Sequence, residues 1–230
     1  MQYNIIGDIH GHESWQDLVQ EGCRHIFVGD YVDSKDGRTP EQILTNWLHI
    51  IRFKKQHPET VLLYGNHELH YMLDLDYRSR FAVRNQREAY CRFIKANAAF
   101  FDGVAFAIDD NTLVSHAGVT KGWYEKYFGP YRNEGACKVA EQINALWQEN
   151  RMAFAFRSNA TLAVDIWGES PTHSPLWIRS WILPSCNLFA GTPVEQIIGH
   201  TPQDDITVIG EGITCVDCLH KTAKSLIVSR

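Results

Sequence analysis

The chain of 230 residues contains no stretch of 18 consecutive apolar residues, so no ordinary transmembrane helix is expected. It also lacks a basic leader followed by a long apolar run, because the first apolar run, Tyr3 to Ile6, stops at Gly7-Asp8. No secretory signal peptide is expected, and the expected compartment is the cytoplasm. A basic excess is missing too. Lys and Arg number 22 against 27 Asp and Glu, giving a net charge of −5 and a pI near 6.1. That balance argues against a protein that coats nucleic-acid backbones. Neither nucleic acid nor a membrane is expected as a partner, and the oligomeric state is left open. No internal repeat, low-complexity tract or Pro/Gly linker interrupts the sequence, so a single catalytic domain over 1–230 is expected. Among the six cysteines there is one C-x-x-C, Cys215 and Cys218, with no second pair and no following helix. Both are expected to be reduced residues near a strand end rather than a redox pair or half a zinc site.

The first half of the sequence alternates strand-like and helix-like segments. Tyr3–Ile6, His25–Val28 and Val61–Tyr64 are short apolar runs suited to buried parallel strands. Helices are expected near Glu13–Gly22 and Pro40–His57, the second opened by Thr39 as N-cap, Pro40 at the first position and Gln42 in a capping box. Arg84–Ala99 and Glu134–Phe156 carry apolar residues at helical spacing. Val104–Ile108, Thr112–Ser115, Gln196–Ile198, Ile206–Ile209, Ile213–Val216 and Ser225–Val228 read as strands. The expected architecture is α/β, with two packed sheets and helices outside.

Glycine recurs beside chemistry-bearing residues. Gly7-Asp8-Ile9-His10-Gly11, Gly29-Asp30-Tyr31-Val32-Asp33 and Gly65-Asn66-His67-Glu68 each follow an apolar run, and Ser115-His116-Ala117-Gly118 and Gly199-His200 follow later. Such strand ends gather ligands in open α/β sheets. Asp8 and His10, two apart on extended backbone, point to one side and can hold one metal ion. Asp30 can bridge two ions, and Asn66, His116 and His200 complete the coordination of the second ion. Carboxylate, amide and imidazole together suit Mn, Fe or Zn better than Ca. Two divalent ions about 3.5–4 Å apart would generate a bridging hydroxide and clamp phosphoryl oxygens. The aromatic group Trp123, Tyr124, Tyr127 and Phe128 is expected in the core.

In this order the motifs resemble the phosphoprotein phosphatase family of calcineurin-like metallophosphoesterases, over a span from Gly7 to Thr201-Pro202. The bacterial and phage protein phosphatases and the symmetrical dinucleoside tetraphosphatases share this signature. The resemblance implies a four-layer α/β/β/α sandwich with two central mixed β-sheets. It implies that Asp8, His10 and Asp30 hold one ion and Asp30, Asn66, His116 and His200 the other. His67 would be the general acid, oriented by Asp33, and Arg179 would grip the phosphate beside Asn66. The family pattern continues Asp-Arg-Gly after Asp33, whereas this chain has Ser34, so Lys35 or Arg38 would have to reach in. Glu68 is expected to orient the Asn66-His67 segment. The implied function is a dinuclear metal-dependent phosphomonoesterase whose substrate is a phosphorylated protein or a small phosphate ester. In the expected reaction the metal-bridging hydroxide attacks phosphorus in line, without a phosphoenzyme. A serine/threonine or broad-specificity protein phosphatase is the first reading, and a symmetrical bis(5′-nucleosyl)-tetraphosphatase is the alternative. A non-catalytic scaffold is remote, because every ligand and the candidate acid are present, and the acidic charge disfavours a nuclease-type phosphodiesterase.

Overall fold

A computed structural model describes residues 1–34, 36–73, 87–156, 165 and 167–230. The strands are β1 (Gln2–Ile6), β2 (Cys23–Phe27), β3 (Val61–Leu62), β4 (Ala105–Asp109), β5 (Thr112–Ser115), β6 (Glu195–Ile198), β7 (Thr207–Gly210), β8 (Ile213–Cys215) and β9 (Leu226–Ser229). The longer helices are α1 (Pro40–Gln56), α2 (Asn66–Met72), α3 (Arg87–Asn97), α4 (Lys121–Phe128) and α5 (Ala136–Glu149).

Two mixed sheets result. One runs β3-β2-β1-β9, with β1, β2 and β3 parallel and β9 returning antiparallel to β1. The other runs β4-β5-β6-β8-β7, parallel across β5, β6 and β8 and antiparallel at both edges. Strand alternation sorts the side chains into layers. Ile5, Ile26 and Val61 from the first sheet meet Val114 and Ile197 from the second in one apolar cluster between the sheets. Ile6, Phe27 and Leu62 face the other way, into a cluster with Ile43, Trp47, Ile50 and Ile51 of α1. Leu113 in β5 does the same towards Val139, Ile143 and Trp147 of α5. Helix, sheet, sheet and helix therefore stack as expected.

The Pro40 helix begins as the sequence predicts. Thr39 Oγ1 accepts from the Gln42 N–H and Gln42 Oε1 accepts from the Thr39 N–H, satisfying two orphan donors. Trp47 on its inner face stacks on Tyr31 at 5.4 Å, and the Tyr31 hydroxyl donates to the Leu63 carbonyl. Because Tyr31 follows Asp30, this packing fixes the loop at the carboxyl end of β2. Truncating Trp47 to Ala would cost roughly 3–5 kcal/mol and loosen that loop.

Some expectations differ from what is observed. The Glu13–Gly22 segment forms only a short 3₁₀ helix, Ser14–Leu18. Burial of Trp15 against Phe27 and Phe53 fixes that turn. β3 has two residues, after which Leu63 bridges to Gly103. The Glu134–Phe156 run is α5 to Glu149, and a separate 3₁₀ turn follows at Arg151–Phe154. Arg84 lies outside the described residues. Trp123 and Tyr124 are fully buried on α4, and Tyr127 and Phe128 pack against the same core.

Candidate metal centre

The glycine-flanked segments end at one point, beyond the carboxyl ends of the parallel strands. The glycines allow that approach. A Cβ at Gly65 would strike the Asp30 carboxylate, and a Cβ at Gly199 would strike Asp8 Oδ1. The price appears in the neighbouring residues: His10 (φ 42°), Asp30 (φ 53°), Asp33 (φ 58°) and His200 (φ 67°) all sit in the left-handed region. Only Asn133 joins them among the described non-glycine residues. Such conformations persist where surrounding structure over-determines them, and they cluster at functional sites.

Asp8 and His10 share a side, but not by strand alternation, because the chain turns at His10. Its Nδ1 donates to the Val32 and Asp33 carbonyls, both at 2.9 Å, which fixes the ring. Nε2 then faces Asp30 Oδ2 at 3.5 Å and Asp8 Oδ2 at 4.0 Å. Asp8 also accepts the His200 N–H on both oxygens, at 3.0 and 3.1 Å. Asp30 is central. Its Oδ1 accepts the His67 N–H at 3.0 Å, and its Oδ2 lies 3.5 Å from both His10 Nε2 and His116 Nε2. Burial disfavours its charge, but His116, His67 and His10 outweigh that and hold its pKa below the usual carboxylate range.

The second group is the more telling. His116 is fully buried, and burial lowers its pKa, which favours the neutral ring. Its Nδ1–H donates to the Val28 carbonyl at 3.0 Å, which leaves a lone pair on Nε2 facing Asn66 Oδ1 at 2.8 Å. His200 mirrors it: Nε2–H donates to the Trp177 carbonyl at 3.2 Å, and Nδ1 faces the same Asn66 oxygen at 3.0 Å. Lone pairs from two imidazoles and an amide oxygen thus converge beside a carboxylate. A divalent cation is the partner that reconciles them. His10, Asp30 and His67 form one cluster with metal-ligand spacing and Asp30, His116 and His200 another, sharing Asp30.

His67 lies at the start of α2, with Nδ1 2.6 Å from Asp33 Oδ2 and Nε2 3.7 Å from Asp30 Oδ2. Burial opposes its charge, but the Asp30 carboxylate and the Asp33 hydrogen bond raise its pKa to about 9. Asp33 is fixed in turn by Tyr71, whose hydroxyl donates to Oδ1 at 2.5 Å. Sequence reasoning missed Tyr71, although it stands four residues beyond His67 on one helical face.

Glu68 performs its expected orienting role by clamping backbone. Its Oε1 accepts from the Tyr31 and Val32 N–H groups at 2.8 and 3.3 Å, and its Oε2 from Asp30 and Gly65, both at 2.9 Å. Burial and the Asp30 charge push its pKa up, against donors that favour the carboxylate.

Arg179 sits at the rim, its Nε donating to the Trp167 carbonyl at 2.6 Å and its Nη1 directed at the His200 carbonyl at 3.5 Å. Asp165, which no sequence signal marked, builds that support. It accepts the N–H groups of Trp167, Gly168, Glu169 and Ser170 and pairs with buried His173 at 2.8 Å. Arg38 is held by Asp36 and lies 3.2 Å from His12 Nδ1, and Ser34 also donates to Asp36. Lys35 lies outside the described residues. Cys215 and Cys218 are buried thiols, pushed up to about 12 and about 11 by burial and donating to main-chain carbonyls, as inert residues do.

This fold and this convergence of ligands define a calcineurin-like phosphoesterase. The model of that family matches residues 1–207, and the chain belongs to it. Among solved structures, it is similar to a protein serine/threonine phosphatase from Saccharomyces cerevisiae that is itself described as similar to human phosphatase PP5. The two are 16% identical with a TM-score of 0.53, covering 94% of this chain and 66% of the other. The chain thus spans just under two thirds of that protein, and the likeness is one of fold. A metallophosphoesterase from Sphaerobacter thermophilus aligns at 17% identity and TM-score 0.32, over 51% of this chain and 47% of its own. A search of curated proteins finds no match.

Proposed function

We propose that the chain is a dinuclear metal-dependent phosphomonoesterase, one cytoplasmic catalytic domain with Mn as its first candidate metal. The observation that carries this reading is the approach of His116 Nε2 and His200 Nδ1 to Asn66 Oδ1 beside Asp30. Asp8, His10 and Asp30 would hold one ion, and Asp30, Asn66, His116 and His200 the other. Bound there, the ions would supply Lewis acidity towards phosphoryl oxygens and a water activated to a pKa of about 7.

The chain's own groups do the rest. His67 is held as an imidazolium by Asp30 and Asp33. With Nδ1–H committed to Asp33, the Nε2 proton is the one to pass to the leaving oxygen. Tyr71 keeps Asp33 in place. Arg179 presents its guanidinium to the phosphoryl group, a task its planar fork suits.

Phosphoserine and phosphothreonine proteins are the first substrate class, and with Ser34 in place of the family arginine the grip on phosphate falls, among the described residues, to Arg179. A second reading, hydrolysis of dinucleoside polyphosphates, draws on two exposed tryptophans on the segments beside Arg179: Trp167, whose carbonyl accepts the Arg179 Nε–H, and Trp181, two residues beyond it. The test is phosphate release by the Mn-loaded protein from phosphopeptides, with diadenosine tetraphosphate in parallel. Asp8→Asn and His10→Ala should each lower metal-dependent turnover by at least a thousandfold. Near-normal rates in either would sink the ligand assignment.

A further inference from the structure

Two main-chain carbonyls from an earlier loop aim Arg179. Its Nε–H donates to the Trp167 carbonyl at 2.6 Å, and its main-chain N–H donates to the Gly168 carbonyl at 3.1 Å. With Nε committed, the guanidinium plane is fixed, and Nη1 is directed at the His200 carbonyl at 3.5 Å. The charge so placed is felt at His116, where it disfavours the imidazolium.

One side chain organises that loop. Asp165 Oδ1 accepts the N–H groups of Trp167, Gly168 and Glu169 at 3.2, 2.9 and 3.1 Å, and Oδ2 accepts that of Ser170 at 2.7 Å. Burial opposes the Asp165 charge, but the Glu169 and Ser170 N–H groups and His173 hold its pKa below the usual carboxylate range. An ionised carboxylate only accepts, so His173, with Nε2 2.8 Å from Oδ2, is the donor. Burial lowers the His173 pKa, which favours the neutral ring. Its Nδ1 has no hydrogen-bond partner among the described residues, so the polar capacity of a fully buried imidazole goes to Asp165. The ring stacks on Phe156 at 4.7 Å, and the His173 carbonyl accepts from Thr120 Oγ1 at the start of α4.

We propose that Asp165, locked by His173, is a positioning residue for substrate binding: it holds the Trp167 and Gly168 carbonyls where they aim the Arg179 guanidinium at the phosphoryl group. The proposal rests on the reading of the neighbouring centre as a phosphoester-hydrolysing site. A guanidinium already immobilised gives up less rotamer entropy on binding than one that must first be ordered. The effect is confined to that grip. Trp177, whose carbonyl accepts from His200 Nε2, is held separately: its own N–H donates to the Ser174 carbonyl, and the Ala117 N–H donates to the Pro175 carbonyl. Loss of Asp165 therefore frees the guanidinium and leaves the metal ligands in place.

The test uses the Mn-loaded protein, with KM and kcat for p-nitrophenyl phosphate and the calorimetric Kd of inorganic phosphate as readouts. Asp165→Ala should raise KM and Kd about tenfold, as Arg179→Ala does, with little change in kcat and none in Mn affinity. In the Asp165→Ala/Arg179→Ala protein the second substitution should add less than about twofold, because both remove one grip. His173→Phe, which keeps a ring against Phe156, should raise KM about threefold. Glu169→Ala should leave KM unchanged, since only its main-chain N–H serves Asp165. Should Asp165→Ala fail to fold, Asp165→Asn, which opposes Ser170 and His173 with an NH₂, runs the same cycle with a rise of about threefold. A KM and Kd like the wild type's in the Asp165 and His173 variants, or losses that multiply in the double variant, would overturn the proposal. A wild type that cleaves no ester but binds phosphate, and loses that binding in Asp165→Ala, would end the hydrolase reading and keep the positioning role. A wild type that does neither would overturn both.

Discussion

Glu68→Gln separates two accounts of the clamp beneath the metal centre. Each carboxylate oxygen receives two main-chain N–H groups, Tyr31 and Val32 on one and Asp30 and Gly65 on the other. A glutamine can present only one oxygen, so its NH₂ must oppose one of these pairs. Two buried donors would lose their acceptor, at about 1–3 kcal/mol each, for a total near 4 kcal/mol. In a chain of this size that corresponds to a melting temperature lower by roughly 10 °C. The loss should fall on the loop bearing Asp30 and Asp33, so Mn affinity measured by calorimetry should drop with stability. If Glu68 were instead protonated, its O–H would already oppose one pair and the amide would replace it at almost no cost. A shift below about 2 °C, with unchanged Mn affinity, would refute the ionised clamp. Glu68→Asp, too short to span the four donors, should be at least as damaging.

His67→Asn should slow alkyl phosphates far more than aryl phosphates, because only poor leaving groups need its proton; equal losses in steady-state assays would remove it as the acid. The raised His67 pKa sets a sign: in the metal-free protein, the stability from its pairing with Asp30 and Asp33 should be complete below about 6.5 and lost as pH rises through about 9, read by denaturant titration across pH. Arg179→Ala should raise KM for phosphate esters about tenfold, whereas Arg38→Ala should raise it less than threefold, since Asp36 already occupies that guanidinium. Mn at a hundredfold over its Kd should add about 2.7 kcal/mol of stability, seen as a rise in melting temperature that EDTA reverses.

The centre was legible because its chemistry is local. All the candidate ligands but His116 stand next to a glycine, so short stretches such as Gly65-Asn66 and Gly199-His200 put a ligand and the room for a close approach in adjacent letters. The α1 cap was legible for the same reason, since Thr39 and Gln42 satisfy each other within one turn. What stayed hidden depends on distant contacts. Nothing near Leu226–Ser229 says that this strand crosses back to β1, because both sheets accept an apolar edge. Asp165 is one acid in the apolar stretch Leu162-Ala163-Val164-Asp165-Ile166-Trp167 until its carboxylate gathers the main chain beside Arg179. His10 was placed on the correct side by the wrong argument: alternation along a strand predicts the direction, but the turn at φ 42° produces it.

The left-handed backbone at His10, Asp30, Asp33 and His200 puts function and durability in opposition at the same residues. Glycine adopts that conformation at little steric cost, whereas other residues held there are strained by about 1–3 kcal/mol each. A selection that rewarded heat resistance alone would therefore drift towards glycine at these four positions and discard three candidate ligands and the partner of His67. Two histidines and two aspartates at these positions concentrate the backbone strain of the fold where its candidate chemistry lies.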